Sequence, residues 1–138
     1  MPESYELRPI GYVRSSLRSV EDAPNQAYQG APDAVLDLDP GYADALLRVE
    51  SGQELILLTW LHRARRDVRQ VHPMSDVSIP LTGVFATRSP DRPNPIGLHR
   101  VRVTGLVPPA RLRVAALEVV DGTPILDLKA VLAPSGEG

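Results

Sequence analysis

VRVTGLV at Val101 to Val107, PPAR at Pro108 to Arg111 and LRVAALEVV at Leu112 to Val120 read together as a β-hairpin with a longer turn. The chain on either side extends the pattern. Ile125 to Val131 is a further strand, with Asp127 and Lys129 sharing one face. Upstream, LILLTWL at Leu55 to Leu61 is a continuous apolar run whose length suits a strand buried on both sides. Val84 to Thr87, Ala34 to Leu38 and Leu7 to Arg14 complete the strand candidates, and Arg63 to Val71 is ambiguous between loop and helix. Fourteen prolines and ten glycines punctuate these runs and disfavour long helices. One short amphipathic helix is expected after Asp39, which can cap its free amides, and Pro40, which suits a first helical position. Tyr42, Ala45, Leu46 and Val49 follow at helical spacing, and Ser51-Gly52 ends the segment. The strands do not alternate with helices as βαβ units, so a doubly wound parallel sheet is disfavoured. The expected fold is mainly β, a small, mostly antiparallel, closed or nearly closed barrel with one short helix. Residues 1–138 are expected to form a single domain, with the tail 134–138 frayed.

The 43% hydrophobic content is enough for a core, but no apolar run reaches transmembrane length. Met1-Pro2-Glu3-Ser4 shows no basic or apolar leader, so no secretory signal is expected, and a cytoplasmic location fits. The absence of cysteine excludes disulfides, thiolate nucleophiles and Cys-ligated zinc. His62, His72 and His99 lack metal-ligand spacing, so no metal is expected. There is no Walker-A sequence, no G-x-G-x-x-G and no G-x-S-x-G elbow. The net charge of −2 conceals an asymmetry. Leu55 to Arg113 holds ten arginines against Asp67, Asp76 and Asp91, while the rest of the chain has five basic and fourteen acidic residues. Such a distribution either builds a basic face or scatters solvated arginines over the surface.

Four segments can carry chemistry. Gly83 to Leu98, GVFATRSPDRPNPIGL, combines Arg88, Arg92 and Asn94 with three closely spaced prolines. Proline stiffens a loop before binding, and guanidinium groups on a stiff loop suit a carboxylate or phosphate. The same composition also fits a rigid crossover whose arginines pair with surface acids. Asp121-Gly122-Thr123-Pro124 reads as a turn where Gly122 allows close approach to the backbone and Thr123 offers a hydroxyl. Glu21 to Gln26 is a polar loop, and Trp60-Leu61-His62-Arg63 ends the most hydrophobic strand, where polar residues often face a pocket. The stretch His62 to Arg69 adds Arg65, Arg66 and Arg69 as phosphate-attracting groups.

Taken together, IGYVRS at Ile10 to Ser15, EDAPNQ at Glu21 to Gln26, WLHR at Trp60 to Arg63, GVFATRSPDRPNPIGL and DGTPILDLK at Asp121 to Lys129 resemble the TsaA/TrmO-like (YaeB-like) family. They occur in the family's order and span nearly the whole chain, and the long proline-rich motif is the most specific. The resemblance implies a small β-barrel that binds S-adenosyl-L-methionine, a homodimer with sites near the subunit interface, and methylation of N6-threonylcarbamoyladenosine in tRNA. Matched segment by segment, it implies cofactor contacts at Pro24, Asn25, Gln26, His62, Arg63, Arg88, Leu98, Asp121, Gly122, Thr123 and Pro124. Arg88 and Arg92 are the candidates for anchoring and charge stabilisation. No general base is identified, with Asp121 one candidate. Arg65, Arg66, Arg69, Arg92, Asn94 and Lys129 are the candidate substrate contacts. Two other readings stay open, methylation of a small metabolite and a non-enzymatic RNA-binding barrel. The sequence departs from the family pattern at Ser15-Ser16 and at Lys129-Ala130-Val131, and it is similar to short members without the C-terminal extension of longer bacterial ones.

Overall fold

The computed structural model describes residues 3–19 and 30–132. The expected cofactor contacts Pro24, Asn25 and Gln26, and the tail 134–138, lie outside the described residues. The described strands are β1 Gly11–Arg14, β2 Ala34–Leu38, β3 Glu54–Trp60, β4 Gln70–Val71, β5 Thr82–Gly83, β6 Ile96–Val107, β7 Arg111–Val114 and β8 Pro124–Ala130. Six of them close a barrel in the order β1-β2-β7-β6-β3-β8, each pair antiparallel, and β4 and β5 pair separately. Each barrel strand contributes a wholly buried side chain: Val13, Leu36, Leu57, Val103, Leu112 and Ile125.

On β6 the alternation of a half-buried strand is regular. Gly97, His99, Val101 and Val103 are buried, and Leu98, Arg100 and Arg102 are exposed. Gly11 on β1 is needed for close strand approach, because a Cβ there would lie 2.7 Å from Leu38 Cα.

Four expectations are corrected in detail. The first strand begins at Gly11 rather than Leu7, since Pro9 has no N–H to give a ladder and Leu7 is exposed. The helix after Asp39 is present as a 3₁₀ helix, Pro40–Leu46, with the Asp39 carboxylate accepting from Gly41 N–H at 2.9 Å. Accordingly Ala43, Leu46 and Val49 pack on the core at a spacing of three, whereas Tyr42 and Ala45 are exposed.

Val84 to Thr87 is not a strand. It forms a 3₁₀ turn, Val84–Ala86, because the Val84 carbonyl folds back to accept from Thr87 N–H and from the Arg92 guanidinium. Finally, β7 stops at Val114 instead of running to Val120. Ala116 takes a positive φ of 28° and turns the chain out of the ladder, while Leu117, Val119 and Val120 still bury their side chains. This bend carries Glu118 toward one end of the barrel.

Candidate active site

Trp60 at the end of β3 pairs with Ile96 at the start of β6. The chain between them therefore leaves and returns at one end of the barrel. There it walls a cavity of about 560 Å³ together with Val119, Val120 and Thr123. His62, Arg63, Arg88, Leu98 and Thr123, which come from separate stretches of sequence, all line it.

Two arginine locks hold the cavity wall. The Arg92 guanidinium donates to three carbonyls of its own loop: Ser89 at 2.8 Å, Val84 at 2.6 Å and Thr87 at 2.7 Å. Arg66 donates to the Pro93 carbonyl at 2.7 Å and to Asn94 Oδ1 at 2.8 Å, and its guanidinium lies 5.2 Å from the centroid of the Trp60 ring. The Asp91 carboxylate accepts from Arg65 N–H at 2.8 Å, which stitches the basic stretch to the proline-rich loop a third time.

These bonds sort the expected site residues. Arg92 lines the cavity, and its Nε and Nη2 donors are engaged by carbonyls of its own loop, so it holds the shape of that wall. Arg66 and Asn94 engage each other outside the cavity lining. Arg65 pairs with Asp67, whose carboxyl is held below its ordinary range chiefly by that hydrogen bond. Arg69 and Lys129 are exposed and lie outside the cavity lining. Arg88 is the exception. It lines the cavity, is exposed, and makes no hydrogen bond or ion pair among the described residues.

Asp121 lies apart from the cavity. Its carboxylate accepts from Ser15 N–H at 2.9 Å and pairs with Arg18 at 2.9 Å, and it does not line the cavity. It clamps the segment after β1 and is poorly placed to act as a base. Arg63 reinforces that clamp by donating to the Arg18 carbonyl at 2.9 Å. Gly122, at a φ of 83°, turns the chain tightly and donates its N–H to the Val13 carbonyl at 2.7 Å. Pro124 then opens β8, and the Thr123 hydroxyl donates to the Val120 carbonyl at 2.8 Å. At the cavity mouth, burial and then the Arg63 charge push the His62 imidazole below its ordinary pKa. His62 is therefore neutral at pH 7 and has one ring nitrogen free to accept.

The sequence reading missed a second set of polar groups. His99 is 9% exposed, and its Nε2 lies 2.9 Å from the Thr59 hydroxyl while its Nδ1 is hydrogen-bonded to Glu118 Oε1. His99 and Glu118 both line the cavity. The signal available in IGLHRVRV is phase. His99 is in step with Val101 and Val103, the inward positions of a strand, whereas Arg100 and Arg102 are out of step.

Residues 12–135 match the model of the tRNA-methyltransferase O N-terminal domain. The chain belongs to this family. It is 39% identical over 123 residues to an S-adenosyl-L-methionine-binding protein of Archaeoglobus fulgidus, covering 89% of this chain and 86% of that one. A probable S-adenosyl-L-methionine-binding protein of Methanothermobacter thermautotrophicus is 38% identical over 123 residues, with 89% and 87% covered. Among solved structures, TrmO from Pseudomonas aeruginosa is similar at a TM-score of 0.75 and 32% identity, covering 96% of this chain and 58% of that one. Another TrmO structure is similar at a TM-score of 0.77 and 33% identity, with 98% and 60% covered. The chain thus spans about three fifths of the TrmO chains it matches. The barrel described above is the family's fold, and no helix of the described residues is long and apolar enough to cross a membrane.

Proposed function

We propose that this protein is an S-adenosyl-L-methionine-dependent methyltransferase that methylates N6-threonylcarbamoyladenosine in tRNA, in the cytoplasm. The observation that carries the reading is the convergence of His62, Arg63, Arg88, Leu98 and Thr123 on one cavity. The cavity's size suits a nucleoside joined to an amino acid. Its wall mixes apolar side chains with a few polar groups. A guanidinium without a partner among the described residues suits the carboxylate of such a ligand. Arg88 would hold that carboxylate and neutral His62 would accept from a donor on the ligand, with Leu98 in the wall of the cavity. The bound cofactor supplies an electrophilic methyl group on a sulfonium, and the protein supplies position and electrostatics.

Calorimetry with purified protein and S-adenosylmethionine tests the cofactor, with an expected dissociation constant in the micromolar range, about −8 kcal/mol. Mass spectrometry of tRNA nucleosides from a strain lacking the gene tests the substrate. Loss of the methylated threonylcarbamoyladenosine is expected, and an unchanged nucleoside profile would end the tRNA assignment.

Phosphate attraction is proposed for Arg65, Arg66 and Arg69, and the test spares Arg66 because removing it would also break its lock on Pro93 and Asn94. Arg65→Ala with Arg69→Ala is expected to flatten the logarithmic salt dependence of tRNA binding by somewhat less than one unit for each phosphate left without its arginine. Cofactor affinity should stay within about twofold in calorimetry. An unaltered slope would place the RNA elsewhere.

A homodimer is part of the same reading. Met74, Val77, Leu81 and Phe85 are exposed apolar residues on the excursion between β3 and β6, with Val77 83% and Phe85 85% exposed. A second copy would cover such side chains. Light scattering should give twice the monomer mass, and the monomer mass at all micromolar concentrations would contradict the dimer.

A further inference from the structure

The interior of a small barrel is filled by apolar side chains, and here the inward row of β6 runs Gly97, His99, Val101, Val103. An imidazole in that row has a desolvation cost, and it is offset only because both ring nitrogens are engaged. A carboxylate oxygen accepts, so Nδ1–H donates to Glu118 Oε1, which leaves Nε2 to pair with the Thr59 hydroxyl. The His99 side chain is 8% exposed and that of Glu118 is 18% exposed. Gly97 makes room for the pair, since a Cβ at that position would lie 2.6 Å from His99 Nε2. Buried polar pairs are weak contributors to stability, and an apolar pair would fill this space at no desolvation cost. The geometry has a different consequence. Glu118 Oε1 is engaged by His99, no hydrogen bond among the described residues takes Oε2, and the residue lines the cavity.

We infer that Glu118 is the proton acceptor of this site and that His99, braced by Thr59, is the residue that positions it. The inference rests on the methyltransferase reading above. A carbamoyl-substituted nitrogen is a poor nucleophile while it carries its proton. As its lone pair forms the bond to the methyl carbon, the carbon–sulfur bond breaks with its electron pair left on sulfur. The nitrogen's proton passes to Glu118 Oε2. Nδ1–H of His99 stays on Oε1, which keeps the carboxylate oriented and partly shares the charge it carries between turnovers. The other charged or titratable groups lining the cavity are His62, Arg63, Arg88, Asp91 and Arg92. Of these, Asp91 accepts from Arg65 N–H on the loop side, so Glu118 is the carboxylate not already holding the loop.

The test uses Glu118→Gln, Glu118→Asp and His99→Gln in the full chain. The glutamine at 118 still accepts from Nδ1–H but cannot take a proton at neutral pH. S-adenosylhomocysteine binding by calorimetry should stay within about threefold of wild type in all three. Methyl transfer to bulk RNA from a strain lacking the gene should fall by about a hundredfold or more in Glu118→Gln. His99→Gln should lose about tenfold in kcat with KM unchanged. In the ligand-free protein, the His99 Nδ1 proton should resonate far downfield and move upfield in Glu118→Gln.

Equal losses of affinity and transfer in Glu118→Gln would overturn the inference and make the carboxylate a ligand contact. Transfer kept within threefold, or no downfield proton in wild type, would overturn it too. If wild type binds S-adenosylhomocysteine but Glu118→Asp and Glu118→Gln transfer at the wild-type rate, only this inference fails. If wild type itself binds no S-adenosylhomocysteine, the methyltransferase reading fails and the proton acceptor goes with it.

Discussion

Arg88→Lys is expected to weaken S-adenosylmethionine binding by about tenfold or more, roughly 1.4 kcal/mol, although it keeps the charge. Arg88 faces the cavity and makes no hydrogen bond or ion pair among the described residues. Its planar fork is therefore available to take a carboxylate through two parallel hydrogen bonds, which a lysine ammonium cannot reproduce. The unfolding midpoint should barely move, because this guanidinium braces no other part of the described fold. Calorimetry beside a urea melt separates the two quantities. Wild-type affinity in Arg88→Lys would show that the guanidinium fork is not used, and the carboxylate would have to be sought at Arg63.

Arg92→Met should act chiefly on stability. Methionine keeps the length of the stem but removes every donor, leaving the carbonyls of Val84, Thr87 and Ser89 without the partner that folds the loop. The site is partly buried, so water compensates in part, and the expected loss of stability is about 2–4 kcal/mol. Hydrogen exchange should rise first over residues 84–92, since the three carbonyls that Arg92 gathers all lie within that stretch. Cofactor affinity should fall as well, because the released loop is a wall of the cavity. The measurement is the urea midpoint with exchange mass spectrometry. A superimposable melt with unaltered exchange would return Arg92 to the surface.

The contrast between these two arginines shows how far the site is legible in the sequence. Both stand on the same proline-rich loop, four residues apart, and no property of the sequence distinguishes them. Only the fold decides that one guanidinium turns onto carbonyls of its own loop while the other is left facing a cavity. The same holds for Asp121 and Glu118. The Asp-Gly turn is conspicuous and makes Asp121 a candidate, yet its carboxylate clamps Ser15 and Arg18. Glu118 stands in what reads as the middle of a strand, where nothing marks it.

By itself, the sequence determined what depends on local pattern. Apolar runs broken by Pro and Gly specify short strands, the absence of βαβ alternation specifies antiparallel pairing, and the Asp39-Pro40 pair specifies where a helix starts. The motifs also carried the family, because their order along the chain is a property of sequence alone. Tertiary structure decided whatever depends on distance between remote residues. Ala34 to Leu38 is a strand in either case, but its pairing with both β1 and β7, which helps close the ring, is not written in any local stretch. The helical spacing after Asp39 became three rather than 3.6 because packing on the barrel, not propensity, chose its face. The run Leu112 to Val120 has strand propensity throughout, yet it turns at Ala116, where Ala116 N–H donates to Asp33 Oδ1 and Leu117 N–H to the Pro32 carbonyl, more than eighty residues away in sequence. That turn places Glu118 against His99, nineteen residues away in sequence, with Thr59 forty residues from His99 on the other side. Side-chain hydrogen bonds of that separation depend on three strands and a loop being in place at once, which is why no periodicity along the chain announces them.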